Sequence, residues 1–202
     1  MADGLGNDNN QNLHINAWAT RNWLGYTWYH LRWKPRFAVG LDYASGDGNA
    51  NCATAASVTG GVNPGYTCRS ANTFENFFPT NYIHVGYMLN HAWKNQIQPQ
   101  VNIQARPTER DHVEFWGQLH YLANARDNWY RGAQGVMAFS RADNTATHVG
   151  DEIDFSWTRM FVDGRVSFTA TWGHFFAGEY IAKNLGTSSD QDWAMVQLWM
   201  NF

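Results

Sequence analysis

Apolar and polar side chains alternate along most of this chain, the period that sends successive residues to opposite faces of a β-strand. Phe37, Val39, Leu41 and Tyr43 take one face, with Ala38, Gly40 and Asp42 between them. Ile97, Val101, Ile103 and Ala105 alternate with Gln96, Gln98, Gln100, Asn102 and Gln104, a nearly pure polar face. Val113, Phe115, Leu119 and Tyr121 alternate with Glu114, Trp116, Gln118 and His120. Ile153, Phe155 and Trp157 oppose Asp154, Ser156 and Thr158, and Val166, Phe168, Ala170 and Trp172 oppose Ser167, Thr169 and Thr171. In the last run Ala194, Val196, Leu198, Met200 and Phe202 share a face opposite Gln197 and Asn201. A less regular run, Leu13, Ile15, Ala17 and Ala19 continuing toward Trp33, makes a seventh predicted strand.

The breaks between these runs alternate in length. Short ones fall at Arg32–Lys34, Pro107–Asp111 and Asp163–Gly164, the last a two-residue hairpin signal. Long ones, rich in Gly, Asn, Asp and Ser, occupy Gly46–Thr80, Asn124–Thr147 and Gly178–Gln191. All short turns therefore fall at one end of the sheet and all long loops at the other, as in outer-membrane barrels with short periplasmic turns and long extracellular loops. Tyr82–Ala92 reads as part of the long loop or an extension of the next strand, because an eighth spanning strand there would mix the two kinds of connection at each end.

Composition sharpens the choice between a water-facing and a lipid-facing sheet. Of 202 residues, 44% are hydrophobic and 16% aromatic, with 11 Trp, yet only 15% are charged. The polar strand positions are Gln, Asn, Ser, Thr, Asp and Glu with very few Lys, whereas solvent-facing strands usually carry more charge. Trp33, Tyr43, Trp93, Tyr121, Phe161 and Phe176 lie near strand ends, where aromatic girdles meet the membrane interfaces. The expectation is an all-β fold, an antiparallel transmembrane β-barrel turned inside out relative to a soluble protein. The competing soluble reading is a secreted glycan-binding β-domain with Trp and Tyr as sugar platforms. Mean hydropathy is −0.50, and no apolar run of about 18 residues reads as a transmembrane helix. A net charge of −3 and a pI near 6.2 carry no nucleic-acid signature.

Cys52 and Cys68 both lie in the Gly- and Asn-rich stretch 49–72. A disulfide there, worth roughly 3 kcal/mol in the chain-entropy picture, would staple a long loop in an oxidising compartment; two unpaired thiols are the alternative. The polar strand faces nominate pore-lining residues: Arg36, Asp42, Gln98, Gln100, Asn102, Gln104, Arg106, Glu114, Gln118, His120 and Asp154, with Thr169 and Gln197. Arg36 and Arg106 suit anion contacts, since guanidinium pairs bidentately with carboxylate. Both also lie beside short turns, where an Arg often snorkels to the interface. With Asp42, Glu114 and Asp154 on the same faces, no clear positive field emerges, and the Gln-rich face of 96–104 favours a neutral, hydrogen-bonding lining. Neither a catalytic pair nor a metal-ligand spacing stands out, so no enzyme activity, metal or cofactor is expected.

Several blocks resemble those of alginate-export-type outer-membrane proteins. FENFFPTNYIHVGYM over Phe74–Met88 is similar to their FxxxFPTNHxxxGYM, with Tyr82 in place of the His. LDYASGD over Leu41–Asp47 is similar to YDYASGD, and GDEIDF over Gly150–Phe155 with GHFFAGEY over Gly173–Tyr180 resembles the final hairpin. The blocks follow family order from about residue 36 to 202. The resemblance implies a bacterial outer-membrane barrel that conducts a hydrophilic, often anionic, polysaccharide, partnered by outer-membrane lipid. A last strand ending on Phe202 likewise resembles the terminal signal read by the barrel-assembly machinery. Family barrels are much longer, and seven strands leave the two ends on opposite sides of a membrane. The expectation is thus that residues 1–202 form a single domain, the carboxyl-terminal part of a larger barrel, with 47–80 as a long extracellular loop.

Overall fold

A computed structural model of the chain describes residues 14–48, 70–76, 85–132 and 135–201. Its frame is one antiparallel sheet of seven long strands: β2 (Ala19–Thr27), β3 (Arg36–Ala44), β5 (Gln96–Ala105), β6 (Asp111–Leu122), β9 (His148–Phe161), β10 (Val166–Ala177) and β11 (Gln191–Met200). They lie in the order β11-β10-β9-β6-β5-β3-β2, each beside its sequence neighbour among the long strands. Four short strands decorate the loop end. β1 (His14–Ile15) pairs parallel with β4 (Ser70–Ala71), and β7 (Trp129–Tyr130) pairs antiparallel with β8 (Val136–Ala138). No helix is long and apolar enough to cross a membrane among the described residues.

Six of the seven long strands follow the predicted runs in place and facing. β2 is displaced. The chain enters it at Ala19, and residues 14–15 belong to β1. Its outward side chains are Asn22, Leu24 and Tyr26, while Arg21 and Trp23 share the face of Asp42, so the odd-numbered parity suggested by Leu13–Ala19 does not continue into it. The expected two-residue hairpin at Asp163–Gly164 is a four-residue connection, since Phe161 pairs with Val166. Val162, Asp163 and Gly164 all take positive φ there, which lets a single helical turn reverse the chain. The connection after β10 holds a short helix, Glu179–Leu185, closed by Gly186 in the left-handed conformation. Val85–Ala92 adds no spanning strand. Cys52, Cys68 and Phe202 lie outside the described residues.

The register turns alternation into two continuous faces. One hydrogen-bonded row across the outer face reads Tyr26, Phe37, Ile103, Phe115, Phe155, Trp172 and Ala194. These side chains are largely exposed, as are Leu24, Val39, Leu119 and Leu198 on the same face. The buried hydrophobic cluster lies elsewhere, at the loop end, where Leu122, Trp129, Ala138, Val149, Phe175, Tyr180 and Ile181 pack between the sheet, the β7–β8 hairpin and the helix. The sheet therefore keeps an apolar outer face open and a polar inner face covered. Its first and last strands, β2 and β11, are edges in this arrangement.

Candidate pore face

On the inner face the rows read Thr27, Arg36, Gln104, Glu114, Ser156, Thr171 and Met195, then Gly25, Ala38, Asn102, Trp116, Asp154, Gly173 and Trp193. The next, toward the loops, reads Trp23, Gly40, Gln100, Gln118, Glu152, Phe175 and Gln191. Every strand residue nominated for the pore lies on this face. Sequence reasoning missed Glu152, two residues before Asp154 and identical in parity, as well as Arg21 and Trp23. It also treated the inner face of β11 as polar, whereas Trp193, Met195 and Trp199 share it with Gln197.

Hydrogen bonds link the β2, β3, β5 and β6 part of this face. Gln100 donates to Asp42 Oδ2 at 2.9 Å, and Gln118 donates to Gln100 at 3.2 Å. Asn102 and Gln104 both donate to Glu114 Oε1, at 2.9 and 2.7 Å. Arg36 donates to Asn102 at 3.3 Å, and Gln96 donates to Gln98. Trp23 lies flat over Gly40 and donates its indole N–H to Asp42 at 3.2 Å, with Arg21 3.7 Å from the same carboxylate. At the turn end, Arg36 and Arg106 meet in one cleft of about 430 Å³, together with Lys34, His112, Tyr29 and Gln104. The two arginines nominated for anions are thus brought together at the mouth of the face.

The inner face is not open along its whole length. A strap from the β3–β5 connection, Val85–Asn95, lies across its loop-side half, and Gln98, Gln100, Gln118, His120, Glu152 and Asp154 are buried beneath or beside it. Its tip is Gly86-Tyr87-Met88. The Tyr87 amide donates to Asp154 Oδ2 at 3.3 Å and the Met88 amide to Glu152 Oε1 at 3.0 Å. Gly86 has φ of 84°, a backbone conformation that favours glycine, and a Cβ there would lie 2.5 Å from Gln118 Oε1, which would have to move aside. Tyr87 stacks on Trp193, with centroids 6.4 Å apart.

Beyond the tip, the strap is fastened to the loops. The Trp129 indole donates to the Asn90 carbonyl at 2.7 Å, the Ala92 amide to the Tyr130 carbonyl at 2.8 Å, and Gly132 N–H to the Leu89 carbonyl at 3.0 Å. Trp93, placed in an outer girdle by sequence, instead donates to the Tyr43 carbonyl from the strap. Buried Lys94 pairs with Glu75 and sits 4.4 Å from the Tyr130 ring centre. Asp127 is the hub: it accepts from Asp47 N–H, Thr73 Oγ1, Asn128 N–H and Tyr130 Oη at 2.6–2.8 Å. Burial raises its pKa to about 6, against these hydrogen bonds, which lower it. Burial holds the His91 pKa down to about 3.

The three sequence blocks thus have physical counterparts. GYM is the strap tip, GDEIDF supplies the carboxylates that hold it, and DYASGD ends on the residues clasped by Asp127. No curated protein matches the chain. A family model for alginate export matches residues 5–195, nearly its whole length. The chain belongs to the alginate export family, which supports polysaccharide export or transport as its general role.

Proposed function

We propose that this protein is a porin-like channel of the bacterial outer membrane, through which a hydrophilic polysaccharide or other polar solute passes without catalysis. The observation that carries the reading is the reversal of the two faces. Seven adjacent strands expose an apolar outer face and turn Gln, Asn, Asp, Glu and Arg inward. Strands of 9 to 14 residues suit a bilayer, which a tilted strand crosses in about 9–11. An open edge is unfavourable in lipid, so β2 and β11 close against further strands into a complete barrel. The long-loop end faces outward and the turn end faces the periplasm, which puts the basic cleft where cargo enters. Outer-membrane lipid contacts the apolar rows, and the barrel-assembly machinery inserts the chain through its last strand and Phe202.

The test is reconstitution of the complete barrel, this chain together with the strands that close β2 and β11, in a planar bilayer. Stable single-channel steps support the channel, and heat-modifiable electrophoretic mobility verifies the barrel. A monomer that stays soluble without detergent and never conducts overturns the reading, and glycan binding by that monomer would establish a secreted sugar-binding domain instead.

A further inference from the structure

The turn end of the sheet carries a second basic recess beside the inner-face cleft. Its three connections hold Arg32, Lys34, Arg106, Arg110 and Arg165 against Glu109 and Asp163, whereas the described parts of the loop connections show no such excess of bases. In the β2–β3 connection Arg32 and Lys34 alternate with Leu31 and Trp33, two exposed apolar residues, and the Arg32 guanidinium stands 5.8 Å from the Trp33 ring centre. Trp33 and Lys34 take φ of 71° and 45°, a conformation that residues other than glycine rarely adopt. Hydrogen bonds hold this turn in place. Trp28 N–H donates to the Pro35 carbonyl at 2.9 Å, Lys34 N–H to the Leu31 carbonyl at 3.1 Å, and Arg106 N–H of the next turn to the Trp33 carbonyl at 2.7 Å. Between the two turns runs a groove of about 380 Å³, lined by Leu31, Arg32, Trp33, Lys34 and Arg106, with Glu109 as its one acid. Three residues on from Lys34, and three before Arg106, Phe37 and Ile103 pair on the exposed apolar outer face.

We propose that this groove is a headgroup site for an anionic phospholipid of the leaflet that meets the turn end. Arg32, Lys34 and Arg106 hold the phosphate, and the acyl chains lie on the apolar outer face that begins at Phe37 and Ile103. The inference rests on the membrane reading and adds a specific lipid partner to it. Three bases against one acid match an anionic headgroup, and guanidinium pairs bidentately with phosphate. Leu31 and Trp33 supply the apolar half of the match, since aromatic side chains settle at headgroup level with their rings toward hydrocarbon. The inner-face cleft shares Lys34 and Arg106, but Leu31, Arg32 and Trp33 line the groove alone, and they distinguish a lipid from a solute in water. Each Lys or Arg near the headgroups strengthens binding of anionic lipid about fivefold, an attraction that salt screens.

The experiment places the complete barrel, this chain together with the strands that close β2 and β11, in phosphatidylcholine vesicles. Trace spin-labelled phosphatidylglycerol or spin-labelled phosphatidylcholine is added, and the fraction of each label immobilised by the protein is read. The expected result is a preference for phosphatidylglycerol of roughly tenfold at low salt, which Arg32→Gln lowers about fivefold and high salt erases. Arg126→Gln with Arg141→Gln, which removes charge from the loop end instead, leaves the preference unchanged. Heat-modifiable mobility verifies that each variant is folded. Equal immobilisation of the two lipids, or a preference that survives Arg32→Gln with Lys34→Gln in a folded barrel, overturns the inference and leaves the channel standing. A preference abolished by a soluble galacturonic acid trisaccharide also overturns it, by assigning these bases to uronates. A folded chain that immobilises neither lipid removes the membrane reading as well.

Discussion

Phe155→Arg separates a lipid-facing sheet from a water-facing one by the size of a single free-energy change. Phe155 is the eighth of the 14 residues of β9, near mid-strand, and its ring is 47% exposed on the outer face. Its row neighbours are Phe115 and Trp172, both also exposed. If this row meets hydrocarbon, a guanidinium at mid-strand costs roughly 2 to 4 kcal/mol. If it meets water, replacing an exposed ring by Arg stays within about 0.5 kcal/mol. The matched control is Gln104→Arg on the inner face. Gln104 donates to Glu114 at 2.7 Å, and an Arg there keeps that acceptor as a charge-assisted bond, so its net cost stays below about 1 kcal/mol. The assay is guanidinium unfolding from lipid vesicles, followed by Trp fluorescence and by heat-modifiable mobility. Equal destabilisation at the two sites, or none at Phe155, would refute the assignment of faces.

Other consequences follow from particular contacts. Gly40→Ala puts a Cβ within 2.6 Å of Trp23 ring carbons, and pushing that ring off the strand should cost about 1 to 3 kcal/mol in the same unfolding assay. Because the Asp127 pKa is raised to about 6 on folding, the folded loops bind the extra proton: their stability is greatest below pH 4 and falls as pH rises through 4 to 6, by up to about 3 kcal/mol. Hydrogen-exchange protection of the Asp47 and Asn128 amides, which donate to this carboxylate, should fall across that window and level off above it. His91, held neutral with its pKa lowered to about 3, acts in the opposite sense. Its contribution is intact above pH 6.5 and lost as pH falls from 6.5 toward 3, so protease sensitivity of the strap should rise with acid in the parent and much less in His91→Asn. Asp111→Ala strands Trp157 Nε1 and Arg159, both hydrogen-bonded to it near 3 Å, and should lower stability by about 1 to 3 kcal/mol.

Most of the sheet was legible because a period of two is local and each strand carries its own copy. Gln96–Gln104 against Ile97–Ile103 is enough to orient β5 without any knowledge of its neighbours. β2 was harder. Trp23 is an aromatic on the inner face, and it is there because Gly40 on the next strand leaves room for the ring, a relation between strands that neither sequence run contains. β11 shows the same difficulty: Gln197 and Asn201 fix the parity, yet the large inner residues Trp193 and Trp199 make the face look apolar. Trp193 is where Tyr87 of the strap packs, so part of the apparent anomaly is a contact with a loop.

The strap could not be read from periodicity at all. Its tip is held by backbone amides, which every residue carries, and by carboxylates 64 and 67 positions away. What marks it is chemical mismatch. Glycine with positive φ precedes two amides aimed at paired acids, in a chain whose alternation has just lapsed. The same mismatch explains why Glu152 and Asp154 remain buried. In a soluble core a pair of carboxyls without a basic partner costs several kcal/mol and is usually replaced by apolar residues. Here the apolar residues are already committed to the opposite face, and a polar inner face capped by a strap is a structure that costs less when the space beside it is wet. Burial of the acids under the strap and the gathering of Lys34, Arg36 and Arg106 in the cleft at the turn end thus divide the inner face into two levels of opposite composition.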